Sequence, residues 1–223
     1  VHTVHNVAKV EAEGTAQAIL NRFYYHRGWS VPVALSPEVQ RTVTEFYGLD
    51  RVPVIFNGVN LHRCIPKRSY GLGNTVSLLH IGRFDEQKNH AGLLQAFAKL
   101  LKTHPNCCLN LLGDGHLRTE MEKYAQELGI GHAVHFQGNQ ADVHPYLHDA
   151  DMFLLPSKYE GMPMTIIEAM GTGLPIVASR VGGVPDMLRD GESGLLTGCD
   201  PDEVCAACEK LIDSEELRRT IGQ

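Results

Sequence analysis

Residues 75–115, TVSLLHIGRFDEQKNHAGLLQAFAKLLKTHPNCCLNLLGDG, decide the fold. A short apolar run, Val76 to Ile81, leads through Gly82 and a polar turn into a helical stretch from about Lys88 to Thr103. A second apolar run, Cys107 to Leu112, follows and ends at Gly113. Short apolar runs alternating with helical stretches mark a parallel sheet covered on both faces. The alternation continues to the end of the chain. Further strands are predicted at Val134 to Phe136, Met152 to Leu155, Ile176 to Ala178 and, shorter, Gly194 to Leu196. The helices between and after them are predicted near Leu117 to Leu128, Val143 to Leu147, Pro163 to Met170, Pro185 to Arg189 and Pro201 to Ile212. Right-handed crossovers follow by default. The fold class is α/β, a Rossmann-like parallel-sheet domain with helices on both faces.

Upstream the pattern differs. A strand ends near His5, a helix runs from about Ala12 to Arg27, a strand covers Val31 to Leu35, a helix Pro37 to Tyr47, and another strand Val52 to Phe56. Asn57 and Gly58 then open a polar stretch bearing Pro and Gly, Asn60 to Asn74, the best linker candidate in the chain. The expected division is therefore 1–58 as the end of another domain, 59–74 as the linker, and 75–223 as the main domain. Residues 1–58 are too few to close a core of their own. With no Met at position 1 and a start inside an apparent strand, the expectation is that the beginning of that domain is absent. Gln223 is a candidate cut as well.

Composition narrows the chemistry. The chain of 223 residues is 43% hydrophobic and 21% charged, with a net charge of −6. No basic block occurs, so its field repels a phosphate backbone and nucleic acid is not an expected partner. The six cysteines form no framework, and no apolar leader or long apolar run is present. The expectation is a reduced, cytosolic protein. Cys205 and Cys208 have the spacing of half a zinc site, yet no second pair follows; two small residues on one buried helix face is the favoured reading.

Two runs carry chemistry. In EGMPMTIIEAM, Glu160 to Met170, two carboxylates stand eight residues apart. Pro163 suits the first helical position, which puts Glu160 on the loop after a strand and Glu168 inside the helix. Such loops bind ligands, and a helix N-terminus offers free N–H groups to a phosphate. Glu160 would repel the same anion, so it is expected to face neutral hydroxyls. The alternative is that Glu160 caps the helix and Glu168 is solvated. In IGRFDEQKN, Ile81 to Asn89, Arg83 and Lys88 are placed to stabilise the charge of a leaving diphosphate. The alternative there is surface pairing with Asp85 and Glu86.

Together these runs resemble the retaining glycosyltransferases of family 4, also called group 1, whose signature is Glu, seven residues, Glu. The resemblance covers nearly all of the chain. It includes Asn57 to Val59; Gly82, Arg83 and Lys88; Gly113 to Gly115 with Leu117 and Arg118; Phe136 to Gly138; Ala150 and Asp151; Leu155 to Ser157; Glu160 to Glu168; and Gly173, Pro175, Ala178, Gly182 and Gly183. It implies the GT-B fold of two Rossmann-like domains. It implies transfer of a sugar from a nucleoside diphosphate sugar, a UDP-sugar by preference, to an acceptor hydroxyl, with retention, no metal and no cofactor. By the same resemblance, Gly82, Arg83 and Lys88 bind the donor diphosphate, Glu160 the sugar hydroxyls and Glu168 the ribose hydroxyls. Gly161, Met162, Pro163, Met164 and Thr165 supply backbone and hydroxyl contacts, and Gln137 to Asn139 border the base. His5, within Thr3 to Asn6, matches the position of an acceptor-domain histidine that faces the donor sugar near the reacting carbon. The implied partners are the donor and a carbohydrate or lipid-linked acceptor in cell-surface polysaccharide or glycolipid synthesis. The implied location is the cytoplasm at the inner face of the membrane, with peripheral contact through the rest of the first domain.

Other readings stay open at this stage: an epimerase or hydrolase of UDP-sugars with the same fold, a nicotinamide oxidoreductase, or a non-catalytic nucleotide-binding module. Three features are decoys. Asp149 and Asp151 spell Asp-x-Asp but precede a strand instead of following one, so no metal is expected there. Gly113 and Gly115 begin a dinucleotide fingerprint whose third glycine is replaced by Arg118. The segment Ala16 to Trp29 has the look of a membrane-surface helix, although a helix burying one apolar face is the preferred expectation.

Overall fold

The computed structural model of the protein describes residues 1–12 and 14–223. Contacts divide them into two compact units. The smaller comprises Val1–Gly58, Tyr159–Met164 and Val181–Met187; the larger comprises Val59–Lys158, Thr165–Arg180 and Leu188–Gln223.

In the smaller unit, β1 (His2–Val4) pairs in parallel with β2 (Pro32–Ala34). The expected strand Val52 to Phe56 is reduced to a single parallel bridge, Val54 to Ala34, with hydrogen bonds from Ala34 N to Pro53 O and from Ile55 N to Ala34 O. Pro53 has no N–H to extend the ladder. A short helix that was not expected, α1 (Ala8–Glu11), comes first; the expected helix Ala12 to Arg27 forms as α2 (Thr15–His26) with Gly14, at φ 126°, as its N-cap, and residue 13 of the expected span lies outside the described residues. α2 also departs from the expected apolar face. It buries Asn21 and Tyr25 and leaves Ile19, Leu20, Phe23 and Tyr24 exposed. α3 (Pro37–Tyr47) forms as its signals require: the Ser36 side chain accepts from Val39 N, Pro37 occupies the first turn, and Gly48 ends it left-handed. Its buried Val39, Val43 and Tyr47 recur every fourth residue and pack with Val4, Ala8, Tyr25, Ala34 and Val52, so residues 1–58 do bury a small apolar cluster of their own, against the expectation that they were too few.

The larger unit is built on six parallel strands: β3 (Val76–Ile81), β4 (Cys107–Leu112), β5 (Val134–Gly138), β6 (Met152–Leu155), β7 (Ile176–Ser179) and β8 (Leu195–Thr197). In chain order the intervening helices are α4 (His90–Thr103), α5 (Arg118–Glu127), α6 (His144–Asp149), α7 (Met164–Gly171) and α8 (Val184–Met187), the last grouped with the smaller unit. α9 (Pro201–Asp213) and α10 (Glu215–Gly222) complete the chain. The spatial order β5-β4-β3-β6-β7-β8 places the reversal of strand order between β3 and β6. Leu78, Leu109, Met152, Leu154 and Val177 share one core with Phe97 of α4 and Leu211 of α9. Residues 59–74 pack on this unit: the Cys64 side chain lies against Gly171, and Tyr70 Oη donates to Gly173 O. α10 was not expected from the sequence. It is anchored by an arginine, since buried Arg218 donates from Nε to Tyr70 O at 2.8 Å and from Nη1 to Ile212 O at 2.8 Å.

Candidate functional site

Open α/β sheets bind ligands outside the carboxyl ends of their strands where strand order reverses. Here that place is flanked by the segments after β3 and β6, and the larger unit ties the two together. Lys158 N donates to Gln87 O at 2.8 Å, and Asn89 Nδ2 donates to Pro156 O at 3.1 Å and to Cys199 O at 3.4 Å. Those bonds hold Asn89 in the left-handed region at φ 54°, which Asn tolerates better than most residues. The turn between is shaped by Asp85. Its Oδ1 accepts from Gln87 N at 3.1 Å and from Lys88 N at 3.3 Å, closing a 3-10 turn over Glu86–Lys88. Its Oδ2 accepts from Arg83 Nε at 2.7 Å, so for Arg83 the pairing alternative is realised. The Arg83 side chain is 75% exposed in that pair, while the Asp85 carboxylate that holds it is buried. Lys88 is half-buried beside it.

Glu168, on α7, is half-buried rather than solvated. Burial pushes its pKa above the ordinary glutamate value, Asp142 adds to the rise, and His144 and Arg63 oppose it. Those three neighbours form a chain of contacts: Arg63 Nη2 reaches Asp142 Oδ1 at 3.0 Å, and His144 Nδ1 reaches the same oxygen at 2.7 Å. With Ile65, Pro145, His148 and Asp149 they line a cleft of about 430 Å³. Sequence reasoning missed this trio, because Arg63 lies in the stretch read as linker and no motif joins it to His144. One turn before Glu168, Thr165 Oγ1 is buried without a hydrogen-bond partner among the described residues. Asn139 is exposed at the end of edge strand β5, next to Gln137, which is held by Asn110.

The smaller unit brings together His5 and the loop Tyr159–Met164. Their backbones touch: a Cβ on Gly161 would fall 1.7 Å from His5 O, and one on Gly182 would fall 1.7 Å from Glu160 O. Only glycine allows such contact. Gly183 N donates to Glu160 O at 3.3 Å, and Asn57 Nδ2 donates to Met162 O at 3.1 Å. Glu160 is 4% exposed and stands four residues before the first residue of α7, so it is neither solvated nor at the cap position. His5 is exposed at the end of β1. Pro163 directly precedes α7 and Met164 begins it. Thus His5, Glu160, Gly161, Met162, Pro163 and Met164 belong to one unit, and Gly82, Arg83, Lys88, Asn139, Thr165 and Glu168 to the other.

Two of the three decoys, and the cysteine pair, have a local structural account. Asp151 Oδ2 accepts from Ser77 N at 2.8 Å, at the amino edge of the sheet, and exposed Asp149 contacts His148. A Cβ on Gly113 would fall 2.1 Å from Gly82 O, so its glycine serves the approach of two loops of this chain. Cys205 and Cys208 share the buried face of α9, and burial pushes both thiol pKa values up.

Comparison with known proteins gives the following. Residues 67–223 match the family described as glycosyl transferases group 1. The chain is 30% identical over 206 residues to a lipopolysaccharide core biosynthesis glycosyltransferase, LpsE, of Rhizobium meliloti, covering 91% of this chain and 59% of that protein. It is 32% identical over 257 residues to a D-inositol 3-phosphate glycosyltransferase of Thermomonospora curvata, covering 100% of this chain and 60% of that protein. The chain therefore spans about three fifths of the length of these relatives. Among solved structures, Anabaena Alr3699/HepE in complex with UDP superposes with a TM-score of 0.87 at 23% identity, over 99% of this chain and 64% of that one. That likeness establishes the GT-B type of fold.

Proposed function

The chain belongs to the group 1 glycosyltransferase family, and from that premise we propose that it moves a glycosyl group from a UDP-sugar to an acceptor hydroxyl, retaining the anomeric configuration and requiring no metal. The observation that carries the proposal is the stitching of the Gly82 to Asn89 turn to the Pro156 to Lys158 segment at the reversal of strand order. That turn bears Arg83 and Lys88, and the segment leads directly into Glu160.

In this reading Arg83, Lys88 and the N-terminus of α7 take up the charge that develops on the leaving diphosphate as its bond to the sugar breaks. Fixed cations held in place before reaction supply the electrostatic stabilisation. Glu160 accepts from sugar hydroxyls and Glu168 from ribose hydroxyls, with Thr165 Oγ1 donating to a phosphate oxygen. His5 orients and polarises the sugar near the reacting carbon, and the departing phosphate accepts the proton of the acceptor. Asn139 borders the base. The choice of UDP is supported by the nucleotide bound to the Anabaena relative. A role in cell-surface polysaccharide or glycolipid synthesis is supported by the Rhizobium relative. Work at the cytoplasmic face of a membrane, with a lipid-linked or carbohydrate acceptor and peripheral lipid contact, belongs to the same proposal.

The test is a thermal-shift comparison of UDP, GDP and ADP on this chain, joined to product analysis with a UDP-sugar on the full enzyme. UDP is expected to raise the midpoint most, and sugar is expected on an acceptor. No nucleotide-dependent shift, or release of free sugar as the sole product, overturns the proposal.

A further inference from the structure

Beneath the Lys88 turn lie two histidines that the transfer chemistry does not use. His80, on β3, and His90, the first residue of α4, are 0% and 2% exposed. Their rings meet edge to face with centroids 4.8 Å apart, and His90 stacks on Phe84 at 3.9 Å. His80 Nδ1 lies 2.8 Å from Leu154 O. A carbonyl only accepts, so Nδ1 carries the proton and Nε2 presents a bare lone pair. That Nε2 and both ring nitrogens of His90 are buried without hydrogen-bond partners among the described residues. Such orphans cost free energy that leucine or phenylalanine of similar volume would avoid, which argues against a purely packing role. Burial above all lowers the His80 pKa to about 4 and that of His90 to about 2, with the Lys88 charge contributing to both shifts.

Geometry shows what the pair touches. A methyl on Gly82 would lie 2.9 Å from His80 Nε2, 3.0 Å from Lys88 Cγ and 3.1 Å from Lys88 Cδ. The ring edge, the lysine stem and the Gly82 backbone close around one point. His80 is also pinned across the reversal of strand order, because its partner Leu154 belongs to β6.

We propose that His80, backed by His90, is a positioning residue: its ring edge, fixed to β6, seats the stem of Lys88 and the Gly82 backbone so that the ammonium is aimed at the donor diphosphate. This rests on the reading of Lys88 as a diphosphate ligand. A free lysine side chain samples many rotamers, and a stem already seated loses less of that freedom on binding.

The test is calorimetric affinity for UDP and for uridine, taken as a ratio, in the wild-type chain and in His80→Asn, His90→Leu and Lys88→Ala. His80→Asn keeps a donor for Leu154 O but removes the ring edge. His90→Leu fills the same volume without orphaned nitrogens. Both are expected to weaken UDP about tenfold while changing uridine by less than about twofold. His90→Leu is expected to do so with stability equal or higher. Added to Lys88→Ala, His80→Asn is expected to have no further effect on UDP. Equal losses for UDP and uridine, or an unchanged ratio in a folded His90→Leu, overturn the inference and make the pair structural. If Lys88→Ala itself leaves the ratio unchanged, the diphosphate reading of Lys88 falls, and this inference with it.

Discussion

Glu168 and His80 are titratable side chains whose pKa values burial moves in opposite directions, so they give pH signatures of opposite sense. For Glu168 burial raises the pKa above 4.5, and in the proposed reading ribose hydroxyls need its ionised form. UDP affinity is therefore expected to climb as pH rises through that raised value and then level off. Glu168→Gln should abolish the step and weaken UDP and uridine alike, as pH-dependent calorimetry would show. Folding runs the other way for this group: the folded state holds the proton more tightly, so stability falls as pH rises through the folded pKa. For His80 the folded pKa is depressed from 6.5 to about 4. Its neutral burial contributes stability that is complete above pH 6.5 and is lost as pH falls toward 4. The loss is on the order of 3 kcal/mol. Urea denaturation across that range should show it, and His80→Leu should flatten the curve. At the reacting end, Lys88→Ala and Glu160→Gln should each lower kcat/KM of the full enzyme by roughly 100-fold or more, in the range seen for lost electrostatic stabilisers. Unchanged turnover in both would remove them from the mechanism.

At the scale of elements, the strands were readable wherever burial on both faces made the run continuously apolar. Met152 to Leu155 is buried at every position and falls at its expected bounds. The elements that deviated are those whose cause lies outside the local pattern. Val52 to Phe56 looks like a strand but carries Pro53 and pairs at one residue. α10 lacks an apolar face to announce it; its buried residues are Arg218 and Ile221, and the arginine is anchored by carbonyls of Tyr70 and Ile212. α3, by contrast, is fully specified by its ends. Ser36→Ala removes the acceptor for Val39 N and should cost about 1 kcal/mol in thermal denaturation. Gly161→Ala should be far more damaging, since its methyl would meet His5 O within van der Waals distance. A thermal midpoint close to wild type in that variant would contradict the contact between β1 and the Glu160 loop.

For the whole molecule, the chain order does not match the grouping of its parts. The loop Tyr159–Met164 and the segment Val181–Met187 follow strands of the large sheet, yet their contacts are with residues 1–58. The candidate residues are divided accordingly, with His5 and Glu160 in one unit and Lys88 and Glu168 in the other. The cysteines report on global packing. Cys64, Cys107, Cys205 and Cys208 are buried, and burial pushes the Cys107 thiol up to about 12. A thiol reagent is expected to modify only Cys108 and Cys199 under native conditions and the other four on unfolding; rapid labelling of Cys208 would refute the packing of α9. What the sequence determined by itself was the alternation of strand and helix, the side of the sheet on which the loops gather, and the residue types at each loop. These follow from hydrophobic periodicity and from Gly, Pro and capping residues, which act over a few neighbours. Tertiary structure alone decided that Arg63 and His144 meet on Asp142, near enough to Glu168 to act on its charge, and that His80 of β3 is tied to Leu154 of β6. Those contacts join residues far apart in the sequence, and no local pattern of side chains encodes a distance across a sheet.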